Sequence, residues 1–153
     1  MKALRSCPLF AGMSEIEIDL TLGNISYQLV SLPSHEVYAL AGMPCKYVDI
    51  VVSGKLICRM AALSGKQVEV SRLHSGNMVA PAFIFSKDRS LPVSVETDGK
   101  VQLFRMRPEE LKRLIDLDET LRMNYIRILS NIDVFLTQKM KVLSLFTVRE
   151  KVA

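Results

Sequence analysis

Hydrophobic and polar residues alternate with a period of two through the middle of the chain. Val48, Ile50 and Val52 fall on one side of an extended segment, and Tyr47 and Asp49 fall on the other. This period is that of a β-strand, whose successive side chains point to opposite faces of a sheet. We therefore expect an all-β roll over residues 25–106. The same alternation places further apolar residues on one face of each later segment: Leu56, Cys58, Met60, Val68, Val70, Val93 and Val95.

Glycines divide this region at regular intervals. Gly42, Gly54, Gly65 and Gly76 lie about 11–12 residues apart, and three of them follow a serine. Short antiparallel strands separated by turns at this spacing are typical of a sandwich or barrel. The glycine spacing therefore supports the alternation in predicting a mainly β fold.

Short helices are predicted on both sides of the roll. Ser14 and Glu17 form the pattern of a capping box, which begins a short helix that we expect to pack through Ile16 and Leu20. After the roll, Pro108 stands at a suitable first helical position, where its missing N–H costs no hydrogen bond. The predicted fold class is thus mainly β with flanking helices.

A long helix is predicted over residues 118–146, where the chain contains neither Gly nor Pro. Apolar residues follow a heptad spacing that continues to Val142, and a second stripe beside it continues to Leu143. An ordinary amphipathic helix buried by its own domain is one interpretation. The double stripe favours a parallel homodimer instead, with one stripe on the roll and the other on a partner. The predicted interface consists of Leu121, Tyr125, Ile128, Leu129, Ile132, Phe135 and Leu136.

The last seven residues carry a second capping-box pattern. Thr147 precedes Glu150 by three positions, which predicts that a new helix begins here. So short a helix needs a packing partner, so we interpret residues 147–153 as the start of a truncated further domain. The predicted organisation is a roll with flanking helices at 1–117, a dimerisation helix at 118–146 and this third segment.

Composition limits the classes of protein that the chain can represent. Its 153 residues are 49% hydrophobic, enough for one core, and the net charge of +4 is scattered along the sequence. The longest apolar run has eight residues, whereas a membrane helix needs about 20, so we expect no membrane partner. Cys7, Cys45 and Cys58 form no CxxC pair, and an odd count favours reduced thiols in the cytoplasm.

Enzymatic and metal chemistry find little support in the residues. A cupin-like metal enzyme needs about three protein ligands in one cluster, but His35 and His74 are distant from each other in sequence. The three cysteines are too few for an iron–sulfur cluster held by about four. Glycine-rich nucleotide motifs and the G-x-S-x-G motif of hydrolases are also missing. We therefore predict no enzyme and no metal site.

The order of the elements and three sequence motifs resemble the Crp/Fnr family of bacterial transcription regulators. The motifs are "CPLFAGMSEIEI" at 7–18, "VYALAGMPCKYVDIVVSGKL" at 37–56 and "TVREKVA" at 147–153. The resemblance implies a double-stranded β-helix (a jelly roll of the cyclic-nucleotide-binding type) followed by a dimerisation helix. It also implies that DNA is bound only through a C-terminal winged helix-turn-helix domain that this chain lacks. RNA polymerase is an implied partner of the complete protein.

One part of the resemblance predicts that the usual ligand contact has been lost. Cyclic-nucleotide sensors of the family carry a Gly-Glu-hydrophobic triplet whose carboxylate binds the ribose 2′-hydroxyl. Here Ala80, Pro81 and Ala82 occupy that place, which removes the carboxylate, and Pro81 also removes a backbone donor. We therefore expect the chain not to bind cyclic AMP in the standard way.

A second part of the ligand motif is retained in part. Arg89 and Ser90 match the Arg-[ST]-Ala stretch that holds the cyclic phosphate in the family, but Leu91 replaces the small residue. A guanidinium beside a hydroxyl is a suitable anion site, so a small anionic effector at Arg89 is one interpretation. A turn arginine that is solvated or paired with Asp88 is the other. On the long helix, only Thr137 retains a hydroxyl where the family contacts the base.

These observations predict the sensor and dimerisation domain of a Crp/Fnr-type regulator. The alternative is a regulatory module of the cyclic-nucleotide type attached to something other than a DNA reader, and the third is a cupin-like metal enzyme.

Overall fold

The computed structural model describes the backbone of residues 2–152 and the side chains of residues 3–141. Two short 3-10 turns, Pro8–Phe10 and Pro81–Phe83, supplement the regular elements. The order of the elements confirms the predicted class, a mainly β domain with flanking helices followed by a long helix. The elements are α1 (Lys2–Arg5), α2 (Glu15–Leu22), β1 (Tyr27–Leu32), β2 (Val37–Ala39), β3 (Val48–Ala61), β4 (Gln67–Leu73), β5 (Ser94–Met106), α3 (Pro108–Leu117) and α4 (Glu119–Val152).

The described strands form an antiparallel sheet in the order β1-β5-β3-β4, and β2 also pairs with β5. The two longest strands, β3 with 14 residues and β5 with 13, pair along most of their length. Their register shifts between Val51 and Ser53 and again between Ser53 and Lys55. Such irregularities bend a strand and increase its twist. The long strands can therefore curve, as the predicted jelly roll requires.

The two faces of the β3–β5 pair contribute to different apolar clusters. Val48 and Ile50, with Phe104 opposite, lie in a cluster that includes residues of every described helix. Val51 and Leu103 point the other way, into a cluster enclosed by residues from all five strands. Both faces are thus buried, which explains why Asp49 is fully buried although it alternates with core residues. We call the second cluster the roll interior.

The outer strand β4 differs from the other predicted strands. Val68 and Val70 are 49% and 50% exposed, and no residue of β4 is fully buried. Met60, which lies opposite Val68 on β3, is exposed to 43%. The alternation in this hairpin therefore reflects strand geometry and does not mark a buried face.

Three helix starts follow the chemistry of their first residues. The Glu17 N–H donates to Ser14 Oγ at 3.2 Å, which confirms the predicted cap of α2. Pro108 is the first residue of α3, as predicted. At the start of α4, the Leu121 N–H donates to Asp118 Oδ1 at 3.1 Å, so Asp118 caps this helix.

The predicted packing of α2 is wrong. Ile18 and Leu22 are the buried residues of this helix, whereas Ile16 and Leu20 are 73% and 68% exposed. Both pairs have the spacing of one helical turn, so the sequence offers two equivalent apolar faces. Tertiary contacts with the core select between them.

Helix α4 continues from Glu119 to Val152 without a break, so no new helix begins at Thr147, contrary to the prediction. In a continuing helix the backbone N–H groups already donate to carbonyls of the preceding turn. None is therefore free to donate to a capping side chain. The boundary proposed at 147 stays a prediction. The side chains of Val142 and Leu143, which belong to the predicted stripes, lie outside the described residues.

The first two turns of α4 are buried in the chain's own domain. Leu121 is 0% exposed and Tyr125 6%. Asn124 Nδ2 donates to the carbonyls of Leu9 and Ala11, both at 2.9 Å. Leu121 and Tyr125 are therefore covered by their own protomer and are not available as the predicted dimer contacts.

The later turns of α4 become progressively exposed. Ile128, Leu129 and Ile132 are half-buried, whereas Phe135 and Leu136 are 61% and 51% exposed.

In the part of the chain that the structure describes, no helix combines the length and the apolar character needed to cross a membrane.

We predict that Gly54→Ala destabilises the domain much more than Gly65→Ala. Both glycines have positive φ, +88° and +85°, which costs alanine about 1 kcal/mol. A Cβ at Gly54 would also overlap the Lys100 carbonyl, whereas Gly65 has nothing within 4 Å. Urea unfolding followed by circular dichroism should show a loss of about 1 kcal/mol for Gly65→Ala and about 3 kcal/mol or more for Gly54→Ala. Equal losses in the free energy of unfolding would show that Gly54 of β3 and the Lys100 carbonyl of β5 are farther apart than described.

Candidate ligand-binding site

Apart from Thr137, the candidate ligand residues lie between β4 and β5, within residues 79–93, which we call the cassette. It begins with Ala80 in a left-handed conformation, φ 46° and ψ 54°, followed by the turn Pro81–Phe83. Glycine adopts this conformation without the steric cost that alanine incurs. Ala80 therefore adopts a backbone conformation that glycine would adopt more easily, at the position where the resemblance places a glycine.

The cassette turn is hydrogen-bonded to α4. The Tyr125 hydroxyl donates to the Pro81 carbonyl at 2.7 Å, and the Tyr125 ring meets Phe85 edge to face at 5.9 Å. Burial raises the pKa of Tyr125 to about 12, so this hydroxyl keeps its proton at neutral pH. Neither Pro81 nor Ala82 brings a charged side chain to the turn.

Arg89 and Ser90 are both exposed on the outer part of the cassette. The Ser90 N–H donates to Asp88 Oδ1 at 3.0 Å, and hydrogen bonds from Ser90 lower the pKa of Asp88. The backbone carbonyl of Arg89 accepts from the Cys45 N–H at 2.8 Å. Among the described residues, Asp88 therefore contacts Ser90 and not Arg89, so of the two forms of the alternative interpretation the solvated arginine fits the structure better than the pair. The Arg89 side chain extends from a backbone that is held in place.

A second backbone connection holds the end of the cassette. The Gly42 N–H donates to the Leu91 carbonyl at 2.8 Å, and the Leu91 N–H donates to the Met43 carbonyl at 2.9 Å. The Leu91 side chain is buried and 5% exposed, in the place of the family's small residue. The cassette is thus anchored through Pro81 at one end and Leu91 at the other.

The structure does not place Thr137 at the cassette turn. Thr137 is exposed on α4, about 18 Å farther along the helix than Tyr125, which contacts Pro81. The remaining predicted ligand residues, Ala80, Pro81, Ala82, Arg89 and Ser90, all lie on the cassette. Whether Thr137 contacts a ligand stays a prediction.

A buried ion pair, which no sequence motif marks, joins the two long strands. Arg105 Nε donates to Asp49 Oδ1 at 2.8 Å, and Arg105 Nη2 donates to Asp49 Oδ2 at 3.1 Å. The Tyr38 hydroxyl also donates to Asp49, and the Arg105 guanidinium lies over the Tyr47 ring, 4.3 Å from its centroid. Asp49 is 0% exposed and Arg105 20%, so the pair is shielded from water.

The environment of this pair shifts the protonation of its neighbours. Burial and the adjacent Asp49 carboxylate raise the pKa of Tyr38, which therefore remains a hydrogen-bond donor. Hydrogen bonding to Asp49 raises the pKa of Arg105. The available sequence signal was one charged residue inside each of two apolar runs, "VDIVV" and "LFRM". Their opposite charges could have suggested that these two strands are neighbours.

Metal binding has no support from the described residues. Within them, no three His, Cys, Asp or Glu side chains are grouped so that they could hold a metal ion. His35 and His74 are both exposed. The described side chains therefore give no support to the cupin-like alternative, which needs a cluster of metal ligands.

Comparison with known proteins identifies the type of domain. The sequence profile described as "Cyclic nucleotide-binding domain" matches residues 29–118. No curated protein sequence is significantly similar to this chain. The fold is similar to that of several transcription regulators, which confirms the jelly roll of the cyclic-nucleotide-binding type.

Three solved structures illustrate this similarity. The catabolite activator protein of Thermus thermophilus has a TM-score of 0.78 and 20% identity, covering 90% of this chain and 63% of that one. A transcriptional regulator from Thermotoga maritima has a TM-score of 0.74 and 20% identity, with 82% and 96% covered. The sensor domain of the regulator DNR from Pseudomonas aeruginosa has a TM-score of 0.70 and 20% identity, with 92% and 90% covered.

We predict strong energetic coupling between Asp49 and Arg105. Arg105→Met should lower the free energy of unfolding by about 3–5 kcal/mol, because it leaves a buried carboxylate without its cation. Asp49→Asn together with Arg105→Met should cost less than Arg105→Met alone, since no buried charge remains. The exposed pair of Lys112 and Asp116, 3.1 Å apart, is the matched control, and Lys112→Met should cost less than about 1 kcal/mol. Urea titrations of the unchanged protein, these three variants and Asp49→Asn alone complete the double-mutant cycle, and additive losses for Asp49 and Arg105 would contradict the coupling.

Proposed function

Because the chain belongs to the cyclic nucleotide-binding domain family, we propose that it is the sensor and dimerisation part of a Crp/Fnr-type transcription regulator. The observation that carries the proposal is the hydrogen bond from Tyr125 on α4 to Pro81 on the cassette. It connects the segment that resembles a ligand-binding motif to the longest helix of the protein. DNA binding would belong to a helix-turn-helix domain that follows residue 153.

Helix α4 has two parts with different surroundings. Near its start, Leu121 and Tyr125 are fixed in the core, and Asn124 holds the N-terminal segment. Farther along, Phe135 and Met140 are 61% and 66% exposed. A helix fixed at one end and apolar at the other is suited to pair with a second copy. We infer a homodimer through the later part of α4, without the buried residues Leu121 and Tyr125.

The proposed signal is a change in the direction of α4. A ligand that moves the cassette changes the position of the Pro81 carbonyl, and with it the contact to Tyr125. Helix α4 has 34 residues and so extends for about 50 Å. A small rotation at its fixed start therefore gives a large displacement at its far end. Attached DNA-binding domains would change their separation accordingly.

The proposed effector is a small anion at Arg89, and cyclic AMP in its usual contacts is not expected. Ala80, Pro81 and Ala82 offer no carboxylate to a ribose hydroxyl. Loss of one charged hydrogen-bond partner costs about 1.5–3 kcal/mol, or about one to two decades in affinity. Arg89 is exposed and its backbone is held by Cys45, so its guanidinium can meet an incoming anion.

We predict that the double variant Phe135→Glu, Leu136→Glu is a monomer under conditions in which the unchanged protein is a dimer. Two charges per protomer in an apolar seam would oppose association. The double variant Ser130→Glu, Thr137→Glu adds the same charges at exposed polar positions on the opposite side of the helix and should remain a dimer. Sedimentation equilibrium at tens of micromolar measures the mass. An unchanged protein that is monomeric, or a Phe135 variant that still dimerises, would contradict the assigned face.

We also predict that sequence-specific DNA binding requires residues beyond 153. Base reading needs a recognition helix in the major groove, and α4 is committed to the roll and the proposed dimer. In a competition assay at about 150 mM salt, the 153-residue chain should not distinguish its own promoter from random duplex. A protein extended through the following domain should prefer its promoter. Preference by the short chain, or none by the extended protein, would refute the proposed function.

A further inference from the structure

We propose that a cavity beside the Asp49–Arg105 pair is a second ligand site, which binds a small organic monocarboxylate with an apolar body. The cavity has a volume of about 210 Å³. It lies between β2, the loop that follows β2, and the two ends of the cassette. Four residues define its character: Tyr38, Lys46, Leu91 and Arg105. The proposal is independent of the proposed function, because it does not use Arg89 or Thr137.

The walls of this cavity are largely apolar. Met43 and Pro44 come from the loop after β2, and Val79 and Leu91 come from the two ends of the cassette. Val79 and Leu91 are buried, so this side of the cavity is formed by packed apolar side chains. Apolar walls with a few fixed polar groups are typical of sites for small molecules. The body of the ligand would therefore be apolar.

The polar groups of the cavity favour a single negative charge. Arg105 and Lys46 line it, and none of the residues assigned to its wall is an Asp or a Glu. Arg105 gives two of its N–H groups to Asp49, and a guanidinium carries about five in total, so donors remain for a ligand. Asp49 compensates the charge of Arg105, which leaves the exposed Lys46 as the uncompensated cation. One carboxylate matches this balance.

Arg105 is also held ready for a ligand. The two hydrogen bonds that Arg105 donates to the buried Asp49 carboxylate, together with the Tyr47 ring, fix the plane of the guanidinium. A planar fork with a fixed orientation suits the planar carboxylate group. A side chain that is already ordered loses little conformational entropy on binding. The buried ion pair thus provides a positioned cation at the cavity.

The size of the cavity excludes a nucleotide. Sites for drug-sized ligands usually have volumes of about 300–1,000 Å³, and this cavity is smaller, at about 210 Å³. A single ring or a short chain bearing one carboxylate fits such a volume. The two ends of the cassette form part of the wall, so an occupied cavity would favour the anchored position of Leu91.

The test uses sodium benzoate as the probe, because it combines one carboxylate with a compact apolar ring. Isothermal titration of the 153-residue chain at about 150 mM salt should give saturable binding with a Kd of about 0.1–1 mM. Benzamide has the same shape without the charge and should bind at least about tenfold more weakly. Inorganic phosphate lacks the apolar body and should not compete. Equal affinity for benzoate and benzamide, or no saturation by about 10 mM benzoate, would overturn the proposal.

Variants locate the bound probe. Lys46→Gln changes an exposed residue and should weaken benzoate binding about fivefold or more without unfolding the domain. Asp49→Asn with Arg105→Gln removes the pair without leaving a buried charge, and should abolish binding. Lys87→Gln changes an exposed cassette cation outside the cavity wall and is the matched control, with affinity unchanged within about twofold. Loss of binding in Arg89→Gln with retention in Lys46→Gln would place the probe at the outer cassette and overturn the second site.

The methyl group of Met43 gives an independent readout. Met43 lines the cavity and is 43% exposed, so its methyl resonance should shift during the benzoate titration and report the same Kd. Met140 lies on the exposed part of α4 and should not shift. If Met140 shifts while Met43 does not, the probe binds to α4 and the proposal fails.

Discussion

The pairing of Asp49 with Arg105 is the interaction on which the register of the sheet depends. These residues are direct partners in the antiparallel β3–β5 ladder, and both oxygens of the carboxylate are bonded to the guanidinium. A shift by one residue would turn Asp49 toward the helix-facing cluster, where Val48 and Ile50 now lie, and would leave its charge uncompensated. The hydrophobic alternation already disfavours a shifted register, and the ion pair disfavours it further because a shift would leave a buried charge unpaired. A buried ion pair need not, however, add net stability to the correct register.

The fixed register of β3 and β5 determines where every other functional element lies. One face of the pair receives the helices and the start of α4, and the opposite face forms the roll interior. The cassette joins both regions, because Ala80 packs on both clusters while Pro81 accepts a hydrogen bond from α4. A displacement of the cassette therefore acts on a segment that belongs both to the helix layer and to the roll, and it reaches α4 through a direct hydrogen bond.

Much of the fold could be predicted because period-two alternation, turn glycines and helix caps are local properties. The helix starts predicted from Ser14 and Pro108 were correct for this reason. Heptad spacing shows only that a helix has an apolar face and does not show what covers it, so Leu121 was predicted to meet a partner although its own domain buries it. Asp49 was missed because burial of both faces of β3 depends on closure of the roll. The prediction of a helix start at Thr147 failed because α4 continues through this residue. The backbone N–H groups there are already hydrogen-bonded within the helix, so none is left to donate to the Thr147 hydroxyl.

The conformation of Ala80 separates the fold of the cassette from its chemistry. Its left-handed backbone costs alanine about 1 kcal/mol, yet the turn that follows is retained and bonded to Tyr125. The turn thus supplies a positioned backbone carbonyl, and residues 80–82 bring no charged side chain to it. The hydrogen bond at Pro81 requires only a backbone carbonyl, which any residue in that place supplies. The side chains at residues 80–82 can therefore differ while the hydrogen bond between the cassette and α4 remains the same.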